Sequence, residues 1–190
     1  GANVGLSSVN TGGGLFYLNA SDGGIHASNL AAASTELYAS GDVVLGNVST
    51  TGASASGSPL SVTSYSGSIL NPTHAAASVG TASVTLTAAD NIGNAADPIN
   101  LSVTSNLSQL HLQARDDIAV HVANGLAPAA LAHLDLTLTG LSASTTLDIG
   151  AANLPAGFLA RDGMGNLTIA GGATPSLTQL YLHNNAGAIA

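Results

Sequence analysis

Two adjacent aspartates near the middle of the sequence are the first candidates for chemistry. Asp116 and Asp117 directly follow Arg115, and hydrolysis of a glycosidic bond needs two carboxylates that flank that bond. An enzyme acting on acidic sugars also needs basic groups, yet the chain has no lysine and its second arginine, Arg161, is distant in sequence. Turn aspartates commonly accept backbone N–H bonds. We therefore expect Asp116 and Asp117 to be turn residues, with no catalytic role.

The histidines and the other aspartates lack the spacing of a metal site. A compact zinc site places histidines three to five positions apart, whereas His111 and His121 are ten apart. A calcium cage needs several oxygens from one loop, and the relevant aspartates are too sparse for one: Asp90, Asp97, Asp116 and Asp117. We expect no metal and no cofactor. The histidines, of which His111 and His121 are predicted to point outward, are His26, His74, His111, His121, His133 and His183.

Hydroxyl and amide side chains offer two further kinds of site. Thr-x-Thr pairs at Thr85/Thr87 and Thr137/Thr139 would suit an ice-binding ladder, but threonine is also favoured at exposed strand positions without any ligand. Asn-x-Ser/Thr sequons leave glycosylation open; they begin at Asn19, Asn47, Asn100, Asn106 and Asn166. Neither pattern by itself predicts a site.

The composition excludes several classes of protein. Hydrophobic residues make up 45% and charged residues 6% of the chain, and the formal net charge is −8. Phosphate backbones and anionic membrane surfaces repel such a chain, so nucleic acid is not an expected partner. A disordered chain would have fewer aliphatic residues than this one. A helical bundle would need Glu, Lys, Gln and Arg on its exposed faces, and these residues are scarce here, so neither class fits. The absence of cysteine removes disulfides and thiolate metal sites.

A degenerate phrase recurs along the chain: a leucine, a small residue, a turn of Asp, Asn, Ser or Gly, and then Ile or Val. Successive copies are 19 (Leu18 to Leu37), 49 (Leu37 to Leu86) and 26 (Leu86 to Leu112) positions apart. A more degenerate copy of the repeat begins at Leu182. A unit of roughly 20–26 residues fits the coil of a solenoid.

Period-two alternation around these copies predicts short strands with one buried face. Examples run over residues 84–87, 110–113, 118–122 and 134–139. Stacked coils disfavour charged columns, which agrees with the composition. The sequence therefore predicts an all-β, right-handed parallel β-helix with roughly 20–26 residues per coil. An antiparallel sandwich is the alternative, although hairpin signals such as Asp22-Gly23, Asn124-Gly125 and Asp162-Gly163 are few.

The uncharged stretch from Val43 to Ala89 departs from the pattern. Residues 49–68 are dense in Ser, Thr and Gly and could form either a coil or a loop that leaves the stack. We expect a coil, because apolar positions continue through Leu60, Val62, Tyr65 and Ile69-Leu70.

The segment from Val84 to Ile99, which reads VTLTAADNIGNAADPI, resembles the repeats of filamentous-haemagglutinin-like bacterial exoproteins. The resemblance is good over residues 82–124 and looser elsewhere. It implies a right-handed β-helix, export through an outer-membrane secretion partner, and a role in adhesion, biofilm or contact with host cells. It also implies a secreted or cell-surface location.

We expect residues 1–190 to form a single β-helix segment from the interior of a much longer repetitive protein. The chain starts at Gly1, and its longest hydrophobic-looking stretch, about Ala127 to Leu134, is far too short to span a membrane. The expected function is a non-catalytic structural and adhesive surface filament that associates with copies of itself and could contact a host or glycan receptor. The alternatives are a β-helical carbohydrate-active enzyme and a ligand-binding module for glycan or ice.

Overall fold

A computed structural model gives the fold of the chain. It describes residues 1–51, 60–79, 83–103, 109–122, 135–140, 144–150, 166–171 and 179–184. In the last four of these ranges only the backbone is described. The described residues contain strands, turns and bends and no helix, in agreement with the predicted all-β class.

Short strands follow one another along the whole described chain, because β-branched and leucine residues alternate with small polar residues and are interrupted by Gly, Asn and Asp. Their bounds are β1 Val4–Leu6, β2 Val9–Asn10, β3 Leu15–Ala20, β4 Ile25–Ala32, β5 Ser34–Ala39, β6 Val43–Thr50, β7 Leu60–Ser64, β8 Ile69–Leu70, β9 Ala76–Val79, β10 Ser83–Ala88, β11 Ile99–Val103, β12 Gln109–Ala114, β13 Ile118–Val122, β14 Asp135–Gly140, β15 Ser144–Gly150, β16 Asn166–Gly171 and β17 Gln179–Asn184.

The strands form two sheets between which the chain passes back and forth. Sheet A has the order β1-β4-β6-β9-β11-β13-β15-β16, with β2 beside β4 and β8 beside β6. Sheet B has the order β3-β5-β7-β10-β12-β14-β17. Every pairing among these strands is parallel. The protein is thus a parallel β-solenoid, which confirms the predicted stacking of coils and makes the antiparallel sandwich wrong.

The length of one coil varies more than the sequence predicted. Partner residues in adjacent coils lie between 18 positions (Ile25 and Val43) and 29 positions (Ser49 and Ser78) apart, against a predicted 20–26. The strands keep a common register, and the connections between them absorb the difference, since surface loops tolerate insertions at small entropic cost. The pairing of β14 with β17 is an exception, because Asp135 and Gln179 are 44 positions apart.

The leucines of the recurring phrase form one column of register partners in sheet B. Leu18 pairs in register with Leu37, and Leu86 with Leu112. The column is Leu18, Leu37, Val62, Leu86, Leu112, Leu138 and Leu182. From Leu37 to Leu112 its side chains have no solvent exposure, and each such burial stabilises the fold by about 1.5–3 kcal/mol.

The Ile or Val that ends each copy of the phrase forms a second column, on sheet A. Its members Ile25, Val43, Ile69, Ile92 and Ile118 follow one another in parallel register. All five are buried. The two columns face each other across the interior, so the core runs along the axis of the stack and each coil is packed only against its neighbours.

The stretch of residues 49–68 contributes to the stack, as predicted, through β7, whose Leu60 and Val62 are fully buried. Residues 52–59 lie outside the described ranges. The prediction for Tyr65 was wrong: the side chain is 65% exposed because the residue lies in the turn after β7, where alternation between inside and outside ends.

Candidate functional site

A ladder of polar side chains runs along the turn that leads from sheet B to sheet A. The residue just before the buried Ile or Val column uses a side-chain oxygen to accept the backbone N–H of its counterpart in the next coil. Asp42 Oδ1 accepts from Ser68 N at 2.8 Å, Ser68 Oγ from Asn91 N at 3.3 Å, and Asn91 Oδ1 from Asp117 N at 2.9 Å. At the first coil, Asn3 Oδ1 accepts from Gly24 N at 2.9 Å. We call these donors and acceptors the polar ladder.

Gly67 is what allows the Asp42 carboxylate to enter this ladder. A Cβ atom at position 67 would lie 2.3 Å from Asp42 Oδ1 and 2.9 Å from Asp42 N. The ladder satisfies N–H groups that would otherwise point along the stack, since buried backbone donors need partners. Its role in the structure is therefore cohesion between coils.

The segment 115–117, whose aspartates were expected to be turn residues, contains an ion-pair bridge between two coils. The guanidinium of Arg115 contacts the carboxylate of Asp90 in the preceding coil, and its Nη2 lies 3.2 Å from Asp116 Oδ2. The hydrogen bond and charge of Asp116, together with the charge of Asp90, raise the pKa of Arg115 above its usual value. Asp117 takes part in the polar ladder through its backbone N–H. Among the described residues, no three of His, Asp and Glu are grouped in a way that could hold a metal ion.

The histidines of the described residues are distributed over both sheets and one loop. His111 lies in β12 of sheet B and His121 in β13 of sheet A, so they do not share a face. Each alternates with fully buried neighbours, which places both side chains outward as predicted. His26 is exposed in β4, and His183 lies in β17, where only the backbone is described. His133 lies outside the described residues.

His74 forms a contact that sequence reasoning missed. Its Nε2 atom lies 3.2 Å from Asp97 Oδ1, with both side chains partly exposed. The two residues are 23 positions apart and belong to loops of successive coils. His74 also has a positive φ of 54°, which is uncommon for a non-glycine residue. The length of one coil was the only sequence signal that could have linked them.

The threonine pairs lie in strands of sheet B, with Thr85 and Thr87 on its outward face. Thr85 pairs in register with His111, which pairs with Thr137; Thr87 pairs with Gln113. A His-x-Gln coil therefore separates the two Thr-x-Thr coils, and the uninterrupted threonine ladder needed for an ice-binding surface is not formed between them.

Two tyrosines meet on the same outward face at the first coils. The rings of Tyr17 and Tyr38 are 5.6 Å apart between centroids and tilted by 44°. Glu36 is the register partner of Tyr17, and Asn19 is that of Tyr38. Tyr17 is 55% exposed. The four residues combine aromatic faces with hydrogen-bonding groups on an open surface.

The Asn-x-Ser/Thr sequons occupy varied positions. Asn19 and Asn47 are exposed on strands, whereas Asn100 donates from Nδ2 to the carbonyl of His74 at 3.2 Å. Asn166 begins β16, where only the backbone is described, and Asn106 lies outside the described residues.

Fold and turns together define the class of the protein, a parallel β-solenoid with polar turn ladders. No protein-family model matches the chain, and neither the curated proteins nor the solved structures contain a match. Within the described residues, no helix is long and apolar enough to cross a membrane.

Proposed function

We propose that the protein is a non-catalytic structural and adhesive filament of a bacterial cell surface, of the filamentous-haemagglutinin-like kind. The observation that carries this proposal is the pair of parallel sheets that continue from the first described coil to the last. Coils that pack only on their neighbours make a rod, and a rod suits a protein that bridges a surface and a target. The resemblance of residues 82–124 supports export through an outer-membrane partner.

When this chain is prepared by itself, its first coil presents an edge on which a second copy can stack. Leu15 is 48% exposed, and the neighbouring apolar side chains are only partly buried: Val4, Leu6, Val9, Phe16 and Leu18. Strands β1, β2 and β3 each pair on one side within the described residues. A strand edge with a bare backbone and apolar side chains is a template for another strand. A second copy stacked head to tail would bury both.

Analytical ultracentrifugation and electron microscopy of the purified chain test the filament. We expect rods that lengthen with concentration, and we expect Leu15→Glu to weaken the association because it places a charge at the stacking edge. Tyr65→Glu is the control, since Tyr65 is also exposed but lies in the turn after β7, away from the first coil. Rods that stay monomeric at high concentration would contradict self-association.

The adhesive part of the proposal has a separate test. Beads coated with the folded protein should be retained on host cells or on abiotic surfaces more strongly than beads coated with heat-denatured protein. Equal retention of the two would count against adhesion while leaving the filament untouched.

The tyrosine pair favours a second candidate, a glycan-binding module. Aromatic rings present flat apolar faces with polar tips, and Glu36 and Asn19 beside them can hydrogen-bond sugar hydroxyls. A glycan array would test this, with Tyr17→Ala and Tyr38→Ala expected to abolish any binding and Tyr65→Ala expected to preserve it. The absence of any glycan that depends on Tyr17 would exclude this candidate.

A further inference from the structure

The loop before β11 contains an Asp–Pro peptide bond in a fixed conformation. Asn94 Oδ1 accepts the backbone N–H groups of Ala96 and Asp97, each at 2.9 Å. Gly93 begins the loop with a positive φ of 63°, and a Cβ there would meet the carbonyl oxygen of Ala119 at 2.5 Å. These contacts position the backbone of the loop up to Asp97.

Two groups converge on Asp97 from different parts of the chain. The backbone N–H of Asn94 donates to the carbonyl oxygen of Asp97 at 3.2 Å. His74 Nε2 lies 3.2 Å from the Asp97 carboxylate. The histidine is itself held, because its N–H donates to Asn71 O at 3.1 Å and its carbonyl accepts from Asn100 Nδ2 at 3.2 Å. The residue that precedes Pro98 therefore has both its carboxylate and its backbone carbonyl engaged by neighbouring groups.

We propose that the Asp97–Pro98 bond is a self-cleavage site. A carboxylate oxygen of Asp97 attacks the carbonyl carbon of the same residue, and a carbon–oxygen bond closes a five-membered cyclic anhydride. The carbon–nitrogen bond to Pro98 breaks, and the proline nitrogen takes a proton and leaves as a secondary amine. Water then opens the anhydride, which restores the side-chain carboxyl and leaves a new C-terminal carboxyl on Asp97.

Each neighbouring group has a defined part in this step. The Asn94 N–H stabilises the negative charge that develops on the carbonyl oxygen, as oxyanion-hole donors do. His74, whose Nε2 lies 3.2 Å from the Asp97 carboxylate, positions that carboxylate, and the proposal assigns to it the proton that the proline nitrogen takes. The chain has no lysine, so no lysine side chain of this protein competes with water for the anhydride.

A second X–Pro bond provides an internal comparison. Asn71 precedes Pro72 in the same region, but its side chain is buried and its Nδ2 donates to the carbonyl of Ala75 at 2.8 Å. That amide is engaged with Ala75, and it offers no carboxylate. We expect the bond at position 71 to remain intact under conditions that cleave the bond at position 97.

Intact-mass spectrometry of the full folded chain, incubated in mildly acidic buffer with protease inhibitors, tests the proposal. We expect fragments 1–97 and 98–190 to accumulate, and hydroxylamine added during the reaction to leave a hydroxamate on Asp97. Asp97→Ala should abolish cleavage, and His74→Asn, which tolerates the same backbone angle, should slow it about tenfold or more. Circular dichroism would verify that both variants remain folded.

The unfolded chain separates the fold's contribution from the ordinary lability of an Asp–Pro bond. In concentrated urea at the same pH, we expect cleavage at least about tenfold slower, because the groups around Asp97 are no longer held together. An equal rate in urea, no cleavage of the folded chain, or continued cleavage of Asp97→Ala would each overturn the proposal. None of these outcomes bears on the filament, which depends on the stacking edge.

Discussion

The Oδ1 atom of Asp42 accepts a 2.8 Å hydrogen bond from the backbone N–H of Ser68, one coil further along the solenoid. The neighbouring backbone link runs between the same coils, from Val43 N to Ser68 O at 2.8 Å. A side chain thus extends the parallel ladder through a turn, where the strands have ended. The polar residue before each buried Ile or Val is therefore a connector between coils.

Asp42→Ala should destabilise the solenoid, because it leaves the Ser68 N–H without its acceptor. We expect a loss of about 1–3 kcal/mol in the free energy of unfolding, measured by urea denaturation. Asp42→Asn keeps an acceptor oxygen in place and should recover most of that loss. If both variants unfold like the parent chain, the ladder contributes nothing to cohesion.

Leu86→Ala should cost about 2–5 kcal/mol, because it opens a cavity in the fully buried leucine column. Thr87→Ala is the matched control, since the next residue in the same strand points outward. Its effect should stay below about 0.5 kcal/mol, as for most surface substitutions. Similar losses for the two variants would mean that sheet B does not bury its leucines on one side.

Much of this fold was readable because stacking repeats one environment at each coil. Leu18, Leu37, Leu86 and Leu112 were recognisable as equivalent, and the structure places them in a single column. The intervening coil was harder to recognise because Val62 replaces leucine there. The variable coil length concealed the register between loops, so a contact such as His74–Asp97 could not be derived from spacing.

The candidate sites were less predictable than the fold. The alternation of residues 110–113 placed His111 outward, but nothing in the sequence indicated that Arg115 would reach back to Asp90. That contact forms because the turn brings together side chains of two coils, which are one whole coil apart in the sequence. The exposure of Tyr65 was not predictable either, because Tyr65 lies in a turn and the period of two applies only within a strand.

The outward faces carry few charges, and the explanation that stacked like charges repel can be tested by adding a charged column. Thr63, Thr87 and Gln113 are successive register partners, about 4.8 Å apart between strands. Three aspartates at these positions should destabilise the chain by about 1 kcal/mol for each adjacent pair. Replacing the middle residue by lysine instead should remove the loss. The difference in stability between these two variants should shrink in high salt, because salt screens exposed charges. A difference that salt does not affect would argue against repulsion.

Arg115→Gln should weaken the link between the coils that carry Asp90 and Asp116. The loss should be smaller than that of Leu86→Ala, because the guanidinium is exposed to water, and it should decline with added salt. The raised pKa of Arg115 means that its stabilising charge is present below its usual pKa and is lost only as the pH rises past the higher folded value. Between mildly acidic and mildly alkaline pH, titration of Arg115 should therefore leave stability unchanged.

Thr35 occupies an inward position of sheet B, between Phe16 and Leu60 in register. Its hydroxyl is fully buried, and within the described part of the chain it has no hydrogen-bond partner. Burying an unpaired hydroxyl costs about 1–3 kcal/mol. Thr35→Val keeps the shape of the side chain and removes that cost, so it should raise the free energy of unfolding by about 1 kcal/mol or more. Thr63→Val, on the outward face of the next strand, should change it little. A destabilised Thr35→Val chain would mean that the hydroxyl is needed where it lies.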